Sequence, residues 1–135
     1  MNGNNQHMEK PKFNDKGMTQ WYWRVLYPEK FKLGENVQIG SFTAIDALEG
    51  VEIEDNVKIG FNCVIISYSS IDEKGGKILL KRNCKIGSTT VIMPGITVGE
   101  NSIVGANSFV NKNIPSSEVW VGTPAKFLKK VEKKN

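Results

Sequence analysis

One imidazole and two thiols make up the soft-ligand supply of this 135-residue chain: His7, Cys63 and Cys84. A three-histidine zinc site is beyond a single copy, and a mixed Cys/His cluster has too few ligands, so no metal is expected. The cysteines sit in aliphatic surroundings, NCVII and NCKIG, without CxxC spacing. That favours reduced, buried thiols and a cytoplasmic protein. The other concentration of reactive side chains is residues 71–79, IDEKGGKIL, which hold two carboxylates, two lysines and a glycine pair. Gly75 and Gly76 read as a turn and not as a phosphate cradle, because no strand–GxxxxGK[ST]–helix context surrounds them. The segment reads either as an exposed hairpin-like excursion or as an active-site wall.

The net charge is +4, and Lys126, Lys129, Lys130, Lys133 and Lys134 crowd one end. This excess is too mild for a nucleic-acid partner, which asks for a dense basic stripe with interleaved aromatics. It suits a modest anionic ligand. No apolar run approaches the roughly 18 residues of a membrane span, and residues 1–17 have no apolar core for a leader, so no membrane partner is expected.

The elements that must position these groups follow from a repeat. Read in sixes, the first places are Leu33, Ile39, Ile45, then Ile53, Ile59, Ile65, then Leu80, Ile86, Ile92, Val98, Val104 and Val110. Isoleucine, leucine and valine are only 31 of the 135 residues, yet they fill all twelve of these places. The second place is glycine at 34, 40, 60, 87, 99 and 105, and the fifth is small or β-branched except at Glu49. A period of six fits neither a helix nor an alternating strand. It fits short strands joined by corners, with first and fifth places inward and glycine supplying the corner conformation. Three hexads make an 18-residue coil, giving four coils: 33–50, 53–70, 80–97 and 98–115. Residues 71–79 form a loop inserted between the second and third. The expected organisation is an amino-terminal segment with an aromatic cap (1–32), the repeat (33–115) and a carboxy-terminal segment (116–135) closing as a short helix or tail. Trp21, Tyr22 and Trp23 read as the cap, formed as a helix or a partial coil.

This pattern resembles the hexapeptide-repeat acyltransferases, over about residues 33–126. The resemblance implies an all-β fold, a left-handed parallel β-helix solenoid, assembled as a homotrimer with sites at subunit junctions. The carbonic anhydrase branch of that fold needs histidines this chain lacks. The segment from Ile59 looks like galactoside- and maltose-type acetyltransferases. Their asparagine falls on Asn62 of IGFNCVI, where it would orient the acceptor, and their general-base histidine falls on Ser70 of IISYSSID. The closing stretch, with Gly105, Ala106, Lys112, Ile114, Pro115 and the run Gly122, Thr123, Pro124, Ala125, Lys126, is similar to the family's coenzyme-binding coil. By that resemblance acetyl-CoA is the co-substrate. Gly87, Ser88, Gly105, Ala106 and Thr123 would lie along its pantetheine arm, and Lys112 and Lys126 would meet its phosphates.

Serine is no base at neutral pH, and an alcohol acceptor gains strongly from one. An amine is less demanding, since a group with a pKa near 7.7–8.0 already has a neutral fraction at neutral pH. N-acylation of a sugar or nucleotide-linked sugar is therefore the favoured reaction. Asp72 would accept the ammonium proton, Ser70 or a backbone N–H would meet the oxyanion, and Asp46 is a second candidate carboxylate. Tyr68, Trp120 or Trp23 would stack on a base or sugar ring. O-acylation with a base of another type, and a non-catalytic scaffold, stay open beside this reading.

Overall fold

The computed structural model describes residues 9–132; His7 lies outside the described residues. Three parallel sheets form the faces of a prism around one apolar core, and the chain visits them in turn. Sheet A stacks Arg24–Leu26, Ala44–Asp46, Val64–Ile66, Val91–Ile92 and Phe109–Val110. Sheet B stacks Phe31–Leu33, Val51–Ile53, Ile78–Leu80 and Thr97–Val98. Sheet C stacks Gln38–Ile39, Lys58–Ile59, Lys85–Ile86, Ile103–Val104 and Glu118–Gly122. This is the solenoid expected from the repeat, with about five turns where four were expected. The extra length comes from Arg24–Leu26, which pairs with Ala44–Asp46 as a partial first coil, and from Glu118–Gly122, which adds a strand at the other end.

The register explains why six is the period. Arg24, Ala44, Val64, Val91 and Phe109 are successive partners on one outward row, so inserted residues fall in the corners and never shift a strand's facing. Every first-place aliphatic from Ile39 to Val110 is buried, with Leu33 half-buried at the amino end. Burying each such side chain stabilises the fold by about 1.5–3 kcal/mol. Fifth-place hydroxyls are buried too, and they serve corner carbonyls. Thr43 Oγ1 donates to Gly60 O at 2.9 Å, Ser102 Oγ to Gly99 O at 2.6 Å and Ser108 Oγ to Gly105 O at 2.7 Å. Cys63 and Cys84 occupy the same inward place as free, buried thiols. Burial pushes both thiols up, Cys84 to about 12 with help from the Glu54 charge.

The second-place glycines have a different cause from the one expected. None of them adopts a positive φ; the left-handed residues stand two places later, at Asn36, Phe42, Asn56, Asn62, Asn83, Thr89, Asn101 and Asn107. Asparagine tolerates that conformation better than most side chains. Glycine is required because the next coil lies directly against it. A Cβ on Gly40 would stand 2.6 Å from Gly60 C, and one on Gly87 would stand 2.5 Å from Ala106 N.

Both ends are closed. Trp21 and Trp23 are buried, 6.4 Å apart between ring centroids, and Phe13 and Phe31 meet Trp23 edge-on. Trp21 and Trp23 thus form the expected cap, whereas Tyr22, read as part of it from sequence, is 63% exposed and turns away from it. At the other end the expected short helix is a strand: Ala125–Lys130 turns back and pairs antiparallel with Glu118–Gly122. The open edge of sheet C offers unpaired backbone groups, and satisfying them outweighs any local helical preference of AKFLKK. No helix among the described residues is long and apolar enough to cross a membrane.

That hairpin carries a pH-sensitive clasp. The Glu118 carboxylate accepts from Lys130 Nζ at 2.8 Å and from Trp120 Nε1 at 2.9 Å. The Lys130 contact, followed by the Trp120 one, holds Glu118 below the ordinary carboxylate value. A depressed folded-state value contributes stability above the unfolded pKa of about 4.3, and that contribution is lost as pH falls through the folded value. Protection of the amides of residues 125–130, taken relative to their intrinsic exchange, should fall below about pH 4, and Glu118→Gln should lower it at neutral pH and remove that fall.

Candidate active site

The three corner columns of the prism sort the sequence-derived residues into two groups. Along the edge between sheets C and A, successive corners are Gly40–Thr43, Gly60–Cys63, Gly87–Thr90 and Gly105–Ser108, with Thr123 beyond them. Each corner hydrogen-bonds to the next: Asn62 N–H donates to Ser41 O at 3.1 Å, Thr89 N–H to Phe61 O at 2.9 Å and Asn107 N–H to Ser88 O at 2.8 Å. This edge therefore collects Asn62, Gly87, Ser88, Gly105, Ala106 and Thr123 in one line, with Lys126 on the strand that follows. Ser88 Oγ accepts from Phe61 N–H at 3.1 Å, and Thr123 Oγ1 donates to Asn107 O at 3.5 Å. Small side chains and glycines line this half of the edge.

The second group lies on the edge between sheets A and B. Tyr68–Ser69 and Lys74–Gly75 form an antiparallel hairpin there, so the hairpin-like excursion considered above exists but starts before residue 71 and ends before residue 78, since Ile78 and Leu79 already lie in the sheet B strand. Gly75 and Gly76 stand in its returning arm and not at its tip. The tip exposes Ser70, Ile71, Asp72 and Glu73, with Ile71 90% exposed. Ser69, buried beneath, fixes the tip by accepting from Asp72 N–H at 3.3 Å. Asp72 stands two residues past Ser70. Tyr68 is half-buried against the returning arm, where a Cβ on Gly75 would meet its ring at 3.1 Å. Asp46, at the same edge, accepts from Leu48 N–H at 2.9 Å and so shapes its own turn. Lys112 follows the last strand of sheet A and falls on this edge, away from the other coenzyme-binding candidates.

One chain therefore does not bring Ser70 and Asp72 to Asn62 and Ser88; the width of sheet A lies between them. Beyond Arg24 at its amino end and Asp46, the outward face of that sheet is apolar. Ala44, Val64, Val91 and Phe109 form one row, and Leu26 and Ile66 flank Asp46 in the next. Sheets B and C instead turn out Lys32, Glu52, Gln38, Lys58 and Lys85 on the same coils. A cavity of about 380 Å³ lies at the amino end between Trp21, Trp23, Leu33 and Val37, remote from both groups. Among the described residues no three Asp, Glu, His or Cys side chains gather as metal ligands.

Two exposed aromatics, Phe42 and Phe61, were missed by sequence reasoning, and a third, Tyr22, was read as part of the cap. Tyr22, Phe42 and Phe61 are 63, 70 and 61% exposed on the C–A edge, below the small-residue track. The signal was present in the hexads. Asparagine occupies the fourth place in seven of twelve, so an aromatic there, as at Phe42, is a departure. Trp120 is half-buried and engaged with Glu118.

Known proteins share both repeat and fold. Residues 31–67 match the family described as hexapeptide repeat of succinyl-transferase, and residues 77–112 match bacterial transferase hexapeptide (six repeats). The chain is 34% identical over 139 residues to galactoside O-acetyltransferase of Escherichia coli, covering 90% of this chain and 66% of that one. A maltose O-acetyltransferase from Clostridium difficile superposes with TM-score 0.69 at 31% identity, covering 82% of this chain and 64% of that one. AntD, an N-acyltransferase from Bacillus cereus solved with dTDP and coenzyme A, gives TM-score 0.72 at 22% identity, covering 86 and 81%. The chain spans 40–66% of the length of the first curated relatives it matches. Repeat, prism and relatives agree, and the chain belongs to the hexapeptide-repeat transferase family.

Proposed function

We propose that this chain is one subunit of a homotrimeric, cytoplasmic, coenzyme A-dependent acyltransferase that moves an acetyl group to an amino group of a sugar. The observation that carries the reading is the apolar outer face of sheet A between two half-sites. If a second copy covers that face, the hairpin of one subunit lies beside the C–A edge of its neighbour, and Asp72 and Ser70 reach Asn62 and Ser88 across the junction. The comparisons support the chemistry, since the galactoside and maltose relatives are acetyltransferases by name and AntD was solved with coenzyme A.

In this reading the pantetheine arm lies along Gly87, Ser88, Gly105, Ala106 and Thr123, with Lys126 toward its phosphates. Lys112, on the other edge, would reach the phosphates only of a neighbour's coenzyme. Asn62 holds the acceptor. The amine nitrogen attacks the thioester carbonyl, the C–S bond breaks, and the coenzyme leaves as thiolate. Asp72 takes the proton that the nitrogen sheds and passes it to the sulfur, and Ser70 or a backbone N–H stabilises the oxyanion. Positioning and desolvation at the junction supply much of the acceleration.

The test is thermal stability with acetyl-CoA. At 100 times its dissociation constant the ligand adds about 2.7 kcal/mol, and light scattering should give three chains per particle. No shift at millimolar coenzyme would reject the reading and leave a scaffold. Thiol release with amino sugars and plain sugars then decides the acceptor atom. The O-acetyltransferase names of two relatives favour hydroxyl transfer, and turnover only with plain sugars would establish it.

A further inference from the structure

We propose that the cavity at the amino end of the prism binds an uncharged two-ring aromatic molecule, whose one hydrogen-bond acceptor takes the indole N–H of Trp23. The cavity is separate from both half-sites above, and its occupancy does not depend on the acyltransferase reading.

Three observations meet in this cavity. The first is an unpaired donor. Trp23 is 1% exposed, and its Nε1–H has no hydrogen-bond partner among the described residues. A buried donor left unpaired costs its desolvation with no return. Folding does not ask for it, because Phe13 and Phe31 supply aromatic volume to the same cap without an N–H. The ring is also held in place, with Trp21 nearly parallel to it at 11° and both phenylalanines edge-on. A donor fixed before its ligand arrives loses little freedom on binding.

The second observation is the space beside that donor. Trp23 lines a cavity of about 380 Å³ together with Trp21, Leu33 and Val37. A cavity of about 150 Å³ is enough for benzene, so this one takes a second ring. Water fits it poorly, because water needs several polar partners and the side chains of Leu33 and Val37 offer none. A charged guest fits no better. The charges at the rim, Lys10 Nζ and Glu35 Oε1, already face each other at 3.5 Å, and a buried charge without a partner is costly. The occupant these walls favour is neutral, flat and apolar but for one acceptor.

The third observation is access. Glu9, Lys10 and Pro11 belong to the rim. The Gln20 side chain ties this strap down, with Nε2 donating to Lys10 O at 3.0 Å and Oε1 accepting from Lys12 N–H at 2.8 Å. The Lys10–Glu35 pair beside it is exposed on both sides and therefore weak, so a ligand can enter without parting the coils. The wall at Leu33 and Val37 belongs to the corner between sheets B and C. That corner lies opposite the apolar face of sheet A, so a second copy on sheet A leaves the cavity open.

The probes are quinoline, uncharged at neutral pH with one ring-nitrogen acceptor, and naphthalene, the same two rings without it. Calorimetric titration of the full chain should show saturable quinoline binding, about fivefold tighter than naphthalene, as one neutral hydrogen bond predicts. Quinoline should also move one of the three tryptophan indole N–H resonances downfield, the one missing from Trp23→Phe. Trp23→Phe should bind the two probes equally, and its melting temperature checks that the cap is intact. If that variant does not fold, the probe ratio and the indole resonance of the wild type still decide. Saturating acetyl-CoA should leave quinoline binding unchanged, so this site and the acyltransferase reading fail separately. Quinoline that does not saturate at millimolar concentration overturns the proposal and leaves a hydrated cavity. Equal binding of both probes by the wild type overturns it, as does competition between quinoline and acetyl-CoA. Nuclear Overhauser contacts from the Trp23 N–H to residues 1–8 would make the chain itself the occupant and overturn it too.

Discussion

Gly87→Ala is expected to lower unfolding free energy by about 3 kcal/mol, near the top of the usual range for an overpacked site. The added Cβ would stand 2.5 Å from Ala106 N and 2.7 Å from Ala106 Cα. Both are backbone atoms of the next coil, pinned by Gly87 N–H donating to Val104 O at 2.8 Å and Asn107 N–H donating to Ser88 O at 2.8 Å. No side-chain rotation relieves that contact, so coil spacing itself must open. Gly95 provides the control. Its φ is +81°, but a Cβ there meets nothing within 4 Å. Gly95→Ala should cost only about 1–2 kcal/mol, the backbone strain alone. Urea midpoints at unchanged m-value measure both. Equal losses would mean that the neighbouring coil gives way around the added Cβ and the contact does not fix these glycines.

Asp72→Asn is expected to reduce kcat/KM for an amine acceptor by at least about 10²-fold. The residue sits at an exposed hairpin tip and its side chain supports nothing around it, so stability should change by less than about 0.5 kcal/mol. The pH dependence distinguishes a proton acceptor from a mere contact. The deficit should be greatest at pH 6–7 and narrow as pH rises past the amine's own pKa, near 7.7–8.0 for such a group, where the free base comes to predominate. A constant deficit across that range would assign Asp72 to acceptor binding, and an unchanged rate would remove it from the site.

Much of the prism was legible because each inward place must hold an aliphatic or small residue at a fixed spacing of six. A pattern that regular leaves few ways to bury twelve aliphatic side chains other than three lines of four, one per sheet. The departures from it are equally instructive. The aromatic segment did not announce itself as a first coil, since Trp21 and Trp23 fill the open end with different volumes from the repeat's. The strand at Ala125–Lys130 was read as helix or tail because nothing local in AKFLKK decides; the open edge of sheet C does. The role of the second-place glycines was also hidden. A sequence reports that a Cβ is absent, and only stacked coils reveal whether conformation or contact forbids it.

The same division holds for the site. Sequence alone determined the period, the inward residues, an excursion near residues 71–79, and, through resemblance, the runs around Asn62 and Lys126. The tertiary structure decided which of those runs share an edge. Asn62, Ser88, Ala106 and Thr123 align because parallel register stacks their corners, although 61 residues separate the first from the last. Ser70, Asp72 and Lys112 fall on the opposite edge for the same reason. Residue types fix what a side chain can do; register fixes which side chains can do it together.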